Sequence, residues 1–438
     1  MSIKKWLRDQ KTHFLLLSVA ERRLLLSFFL FALAAPMTNT YVNTFLWRVD
    51  HDPKILILYN IAFYLLLAPG FYLNGVLLRY SETPIMYLIG CVLQGLVPLS
   101  VVMMGQGSTE LTFVFGSVSG LAAGFFWANR NYLVSKLTKS ARRFYFISTD
   151  NALGTLAGIA APATIGWFLI FGEVKNLYSI DTAYHIAAVV GLIILFIAGL
   201  AVVKAPLPEC INPIKHLLLR RADAAWNRLR VVEVFNGLID GVESVVPVIM
   251  VLTFLGTEET IGTIDSLSAV LAAILIYVLG RRLGHRHHFM LLCIWVVATL
   301  IGSGSFAIFY SAAGVLTYYL ISALVSLIRF GSLSSIMYET VDDSAGSGIA
   351  HRYVYIVDRE FFLNAGRVTS LLILYGLYTL APEPTLRFSL LAIVVLEAIL
   401  LVIVKPLTKK MAQRPVVLVP PSIPGGIPEE EAAETMRA

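Results

Sequence analysis

Apolar residues fall into runs of about 20 that follow one another almost without interruption between residues 24 and 404. The runs occupy 24–47, 54–79, 84–104, 110–134, 145–171, 182–203, 229–255, 259–281, 287–309, 312–337, 353–379 and 385–404. Coiled as helices, about 20 residues cross roughly 30 Å of hydrocarbon. The strict in–out alternation of barrel strands is missing. Because only helices and closed barrels satisfy every backbone N–H and C=O in lipid, the pattern predicts an all-α polytopic membrane protein of twelve transmembrane helices.

The second half echoes the first at an offset of about 207 residues. Thr44-Phe45-Leu46 recurs as Thr253-Phe254-Leu255, and Tyr72-Leu73-Asn74-Gly75 is matched by Tyr277-Val278-Leu279-Gly280. Tyr145, Asp150, Ala157 and Gly158 match Tyr353, Asp358, Ala365 and Gly366. Spans 1, 2 and 5 thus pair with spans 7, 8 and 11, which predicts two pseudo-symmetric six-helix bundles. The expected organisation is an N-terminal arm and first bundle over 1–204, a central cytoplasmic connection over 205–228, a second bundle over 229–410, and a tail over 411–438. Pro206, Pro208 and Pro213 open the central connection, and the tail is proline-rich, then acidic, with too few apolar residues to fold.

Composition excludes a soluble core: 57% of residues are hydrophobic and 14% charged, with a mean hydropathy of +0.76. The net charge of +6 concentrates in one set of loops. Lys4, Lys5, Arg8, Lys11, Arg22 and Arg23 share a side with Arg79, Lys136, Lys139, Arg142, Arg143, Lys215, Arg220, Arg221, Arg228, Arg281, Arg282, Arg286, Lys405, Lys409 and Lys410; the opposite loops hold little beyond Arg48, Lys54 and Lys175. Both termini are therefore expected in the cytoplasm, and the charge needs no nucleic-acid partner. Ala32-Leu33-Ala34 resembles a cleavage site, but the charged leader is long and the apolar run continues past it, so the first span is expected to stay uncleaved. Cys91, Cys210 and Cys293 are scattered, and Gly284-His285-Arg286-His287-His288 reads as topology charge rather than a metal site. Without a P-loop or a Gly-rich βαβ unit, no nucleotide or other cofactor is expected.

Twelve helices as six plus six, cytoplasmic termini, a long central loop and the internal repeat resemble the major facilitator superfamily over about residues 23–404. The family's signature after the second helix, Gly-x-x-x-Asp-Arg-x-Gly-Arg-Arg, is represented by Gly75, Arg79 and Tyr80-Ser81-Glu82, with Leu78 in place of the aspartate. Its counterpart is Arg281-Arg282-Leu283-Gly284-His285-Arg286. Gly116 stands where many proton-coupled members carry an arginine, and the fifth helix has Gly154-x3-Gly158-x3-Pro162-x3-Gly166 in place of the antiporter kink. Asp358-Arg359-Glu360-Phe361-Phe362-Leu363-Asn364-Ala365-Gly366-Arg367 looks like a run of poorly characterised bacterial members. The resemblance implies a multi-pass protein of the bacterial plasma membrane, rocking of two bundles about a midplane site, and a monomer in lipid, since one chain contains both halves.

Ionisable groups at bilayer depth are functional candidates. Glu233, Asn236, Gly237, Asp240, Ser244 and Pro247 follow one another at spacings of three and four, which places them on one face of the seventh helix with Glu243 at its edge. Arg329 in the tenth helix and Arg359 and Arg367 in the eleventh supply opposing charge. Glu360, Asn364 and Arg367 share a face, so Glu360 and Arg367 can pair only through Asn364 or a neighbouring helix. Asp240, Glu243, Asn236, Glu233 and Arg329 are read as substrate cavity or coupling residues. Arg130, Asp150, Asp358, Arg359, Glu360, Asn364 and Arg367 are read as a cytoplasmic gate. Both sets also have the reading of static interhelical ion pairs. Asp265 and Glu397 are weaker candidates, because the eighth helix only partly faces the cavity in this fold and the twelfth usually faces lipid.

An unpaired carboxylate at low dielectric takes a proton, so a site that alternates between paired and unpaired states carries H⁺. The expected function is secondary active transport of a small organic solute, with the proton as coupling ion through Asp240 or Glu243. The alternatives are a membrane-embedded enzyme, for which Asp358-Arg359-Glu360 would supply acid and base groups, and a lipid flippase or sensor on the same fold.

Overall fold

A computed structural model describes residues 14, 17–38, 40–104, 109–137, 140–205, 217–219, 221–256, 258–280, 288–345 and 349–412. The basic arm 1–13, most of the central connection (206–216 and 220), the loop 281–287 with most of the histidine cluster, and the tail 413–438 lie outside the described residues. The described residues are helical throughout, apart from short connections.

The first bundle comprises α1 (Val19–Thr38) and α2 (Thr40–Asp50), which share one span, then α3 (Pro53–Leu77), α4 (Thr83–Met104), α5 (Thr109–Leu137), α6 (Ser140–Val174) and α7 (Ile180–Val203). The second comprises α8 (Ala224–Glu243) and α9 (Val246–Phe254), again one span, then α10 (Glu258–Gly280), α11 (His288–Phe309), α12 (Ala312–Ala345), α13 (Ile349–Leu380) and α14 (Pro382–Ala412). Eleven stretches among the described residues are long and apolar enough to cross a membrane. Helix α10 stands at the place of the eighth apolar run. Large apolar side chains such as Ile193, Phe196, Val297, Ile301 and Val402 point outward, as a surface solvated by lipid requires and a water-exposed one would not tolerate.

Local chemistry sets the helix ends. Asp52 accepts from Lys54 N at 2.9 Å and Pro53 follows at the first turn of α3, while Ser179 accepts from Thr182 N at 3.2 Å to open α7. The seventh span starts at Ala224, earlier than its apolar run, because Asp223 accepts from Trp226 N at 2.7 Å and Trp226 is buried. It breaks between α8 and α9: Pro247 has no N–H to give, and the Ser244 hydroxyl turns back to Gly241 O at 2.8 Å. Among the described residues, those with positive φ (His51, Asn176, Gly256 and Tyr310) lie in connections that follow the first, fifth, seventh and ninth spans, so these connections share a side with tight turns.

The bundles meet along α6 with α10, α3 with α13, and α2 with α9. Near the tight-turn side, Ala163 N donates to Ser266 Oγ at 3.0 Å, Trp167 Nε1 to Thr263 Oγ1 at 3.2 Å, and Tyr41 donates to Pro162 O at 2.7 Å within the first bundle beside Gly262. Of the small-residue stripe in α6, Gly158 faces Ala269 of α10, whereas Gly154 stands in open space.

Candidate functional site

Helix α8 crosses α13 with almost no side chain between the two backbones. A Cβ added at Gly237 would collide with the Leu363 carbonyl oxygen, and one at Gly366 with the Val234 carbonyl oxygen. Small residues on both partners permit this approach. The long polar side chains flanking the crossing are thereby brought within bonding distance of one another.

They form an unbroken polar chain. Glu233 Oε1 accepts from Arg359 Nε at 2.9 Å, and Arg359 Nη1 donates to Glu360 Oε1 at 2.7 Å. Asn364 Nδ2 reaches Glu360 Oε2 at 3.3 Å and its carbonyl accepts from Arg367 Nη1 at 3.1 Å. Arg367 then grips Asp240 Oδ2 with Nε at 2.7 Å and Nη2 at 2.5 Å. Asp240 Oδ1 accepts from Arg329 Nη2 at 3.2 Å, and Arg329 Nη1 lies 2.6 Å from Glu243 Oε2 as an ion pair without hydrogen-bond alignment. From Glu233 to Glu243 the chain climbs about 15 Å of helix axis.

The chain holds four carboxylates, Glu233, Glu360, Asp240 and Glu243, against three guanidiniums, Arg359, Arg367 and Arg329. Its lower end is sealed, with the Glu233 side chain 3% exposed and its Oε2 without a partner among the described residues. The upper end is more open: the side chains of Asp240 and Glu243 are 27% and 20% exposed. Arg329 lies over the Trp295 ring at 5.5 Å, and Arg367 over the Tyr64 ring at 4.7 Å. Tyr64 belongs to α3, so Arg367 touches both bundles at once.

The other candidates are placed apart from this chain. Asn236 is half-buried and makes no side-chain hydrogen bond among the described residues. Arg130 pairs with Asp150 at 2.5 Å inside the first bundle, under the Phe28 ring. Asp358 is held inside the second bundle by Arg230 through Nε and Nη2, both at 2.7 Å, and by Trp226 Nε1 at 2.7 Å. Neither ion pair bridges the bundles.

What joins them at the end that carries the basic loops is a contact the apolar pattern did not single out. Asn74 of α3 and Asn129 of α5 exchange amide hydrogen bonds at 3.1 and 2.7 Å. Tyr353 of α13 accepts from Asn74 Nδ2 at 3.2 Å and donates to Phe71 O at 2.9 Å. All three polar residues are buried, and Leu217 from the central connection packs over Gly75 and Tyr353. Asp265 is half-buried in α10. Glu397 does not face lipid but lies fully inside the second bundle, because α14 turns that position toward α8, α11 and α12.

The architecture defines a polytopic, all-helical membrane protein with an ionised interior. A family model for the Major Facilitator Superfamily matches residues 24–357, and the chain belongs to that superfamily of membrane transporters. It is 24% identical over 350 residues, 78% of this chain and 79% of the relative, to the uncharacterised protein YqgE of Bacillus subtilis (strain 168). In fold it is similar to a peptide transporter POT solved with sulfate (TM-score 0.63, 16% identity, 90% of this chain and 95% of the other). It is also similar to a POT family transporter solved with 5-aminolevulinic acid (TM-score 0.63, 12% identity, 89% and 96%). A bacterial homologue of the iron transporter ferroportin, solved facing outward, has the same fold (TM-score 0.59, 17% identity, 90% and 100%).

Proposed function

We propose that this chain is a proton-coupled secondary transporter of a small organic solute, working in the bacterial plasma membrane by alternating access with both termini cytoplasmic. The observation that carries the reading is the surplus carboxylate in the polar chain from Glu233 to Glu243. Three guanidiniums neutralise three carboxylates; a fourth ionised at this depth would cost several kcal/mol, so the chain binds a proton. Asp240 and Glu243 are the exchanging groups, since they are the carboxylates that solvent reaches. Arg367 supplies the coupling: its guanidinium lies on Tyr64 of the opposite bundle, so rocking of the bundles alters its hold on Asp240, and a released Asp240 takes up H⁺.

Asp240, Glu243, Asn236 and Arg329 line the solute cavity, and the sealed Glu233 closes its lower end. Both signs of charge are offered there, which suits a solute carrying an ammonium and a carboxylate, as the 5-aminolevulinic acid bound by one fold neighbour does. At the cytoplasmic end, Arg130–Asp150 and Arg230–Asp358 stiffen the bundles, Arg359, Glu360 and Asn364 connect that end to Arg367, and Tyr353–Asn74 is the contact that parts when the gate opens. The chain transports rather than catalyses.

Proteoliposomes loaded at one pH and diluted into another test this directly. Labelled pools of amino acids, short peptides, organic cations and sugars are offered with the proton gradient in either direction. Accumulation that follows the gradient supports the reading; accumulation of a pool at equal rate with and without the gradient contradicts proton coupling, and chemical conversion without accumulation contradicts transport.

A further inference from the structure

We infer that Glu397 of α14 is a second proton-binding site, held as the neutral acid behind the Arg329–Glu243 pair, and that it exchanges its proton for the Arg329 guanidinium. The side chain is 0% exposed. Neither carboxyl oxygen has a hydrogen-bond donor among the described residues. The groups that face it are Glu243 from α8, Arg329 and Tyr318 from α12, and the Thr299 hydroxyl from α11. Helix α9 carries no titratable residue, and α13 places no charged side chain against it among the described residues.

The Thr299 hydroxyl is engaged with its own helix. Thr299 Oγ1 donates to Trp295 O at 3.0 Å, so its remaining capacity is to accept. A carboxylic acid can donate to it, whereas a carboxylate would have to draw its hydrogen away from Trp295 O. Arg329, the nearest cation, is already held by Asp240 and Glu243. An ionised Glu397 would thus be a buried charge without donor or dedicated counter-charge, the arrangement that proteins relieve by protonation.

Glu397 becomes ionisable when Arg329 turns from Glu243 toward it. The O–H bond of Glu397 breaks, an O–H bond forms on the Glu243 carboxylate that has lost its partner, and the total charge of the cluster is unchanged. Glu397 is sealed whereas the Glu243 side chain is 20% exposed, so the exchange moves a proton between a closed position and one that solvent reaches. This exchange step rests on the proton coupling proposed above; the neutral resting state of Glu397 does not.

Infrared difference spectroscopy of the full chain in lipid vesicles tests both parts. The expected result is a protonated-carboxyl C=O absorption at neutral pH that shifts when glutamate carboxyls carry ¹³C, with one component that disappears in Glu397→Gln and survives in Asp265→Asn. Because the isotope shift is read on the unmodified chain, the test does not depend on a variant folding. In Arg329→Gln the band should persist to more alkaline pH than in the unmodified chain. Absence of a glutamate band at neutral pH, or an undiminished band in Glu397→Gln, would overturn the site, and an unaltered pH dependence in Arg329→Gln would overturn the exchange. A Glu397 band in a chain whose transport ignores the proton gradient would overturn the proposed function alone.

Discussion

Arg367 holds Asp240 through two nitrogens, Nε at 2.7 Å and Nη2 at 2.5 Å, while its guanidinium face rests on Tyr64 of the other bundle, 4.7 Å from the ring centroid. One side chain therefore reports the position of one bundle to the central carboxylate of the other. Its remaining donor, Nη1, is tied to Asn364 at 3.1 Å, which fixes the plane of the fork and makes the grip on Asp240 directional.

Removing one partner of such a pair leaves a buried charge, and Asp240→Asn or Arg367→Gln alone should cost about 3–5 kcal/mol of stability. The double variant Asp240→Asn/Arg367→Gln should be more stable than the sum of the two losses predicts, because neither charge is then stranded. Equilibrium unfolding in detergent micelles reads the difference; strict additivity would show that the two residues do not interact.

The crossing of α8 and α13 has no room for a side chain. Gly237→Val and Gly366→Val should each destabilise by about 1–3 kcal/mol or more, since the added atoms meet backbone rather than a movable side chain. Gly376→Ala, on the same α13 but in open space, should leave stability unchanged or slightly raised. Thermal unfolding of the three variants side by side is the check.

Helical spacing was enough to read part of this site in the sequence. Glu233 and Asp240 lie seven apart and Glu360, Asn364 and Arg367 at four and three, and a helix of 3.6 residues per turn has no choice about which face they share; Asn236, read with them, joins no part of the polar chain among the described residues. Which faces meet was not legible. That depends on Gly237 and Gly366 fitting against each other's backbone, a tertiary match between segments far apart in the chain.

Asn74, Asn129 and Tyr353 illustrate the same limit. They are noticeable in the sequence only as landmarks of the repeat or as a neighbour of Arg130, and the Asn74–Tyr353 bond spans 279 positions. Glu397 was hidden for another reason: an almost wholly apolar run has no polar face, so periodicity says nothing of whether its single carboxylate meets lipid or protein. The apolar spans themselves were readable, because the demand that backbone groups be satisfied in lipid leaves few alternatives. The start of the seventh helix was not, since it depends on the Asp223 cap rather than on apolar residues.

The Tyr353 hydroxyl both accepts from Asn74 and donates to Phe71 O, so Tyr353→Phe removes two buried hydrogen bonds without changing the packing of the ring. The expected cost is about 1–3 kcal/mol. Amide hydrogen exchange should rise around residues 71–75 and stay unchanged around the α5 segment 116–124. Equal exchange in both proteins at 71–75 would show that this contact does not close the end that carries the basic loops.

Coupling through Asp240 is tested most directly by comparing two transport modes in one variant. In proteoliposomes containing Asp240→Asn, solute accumulation driven by an imposed proton gradient and gradient-free exchange of labelled for unlabelled solute are measured on the same preparation, with Asp358→Asn as the matched carboxylate control. We expect Asp240→Asn to lose gradient-driven accumulation and keep exchange, and Asp358→Asn to keep both. Undiminished gradient-driven accumulation in Asp240→Asn would contradict the account.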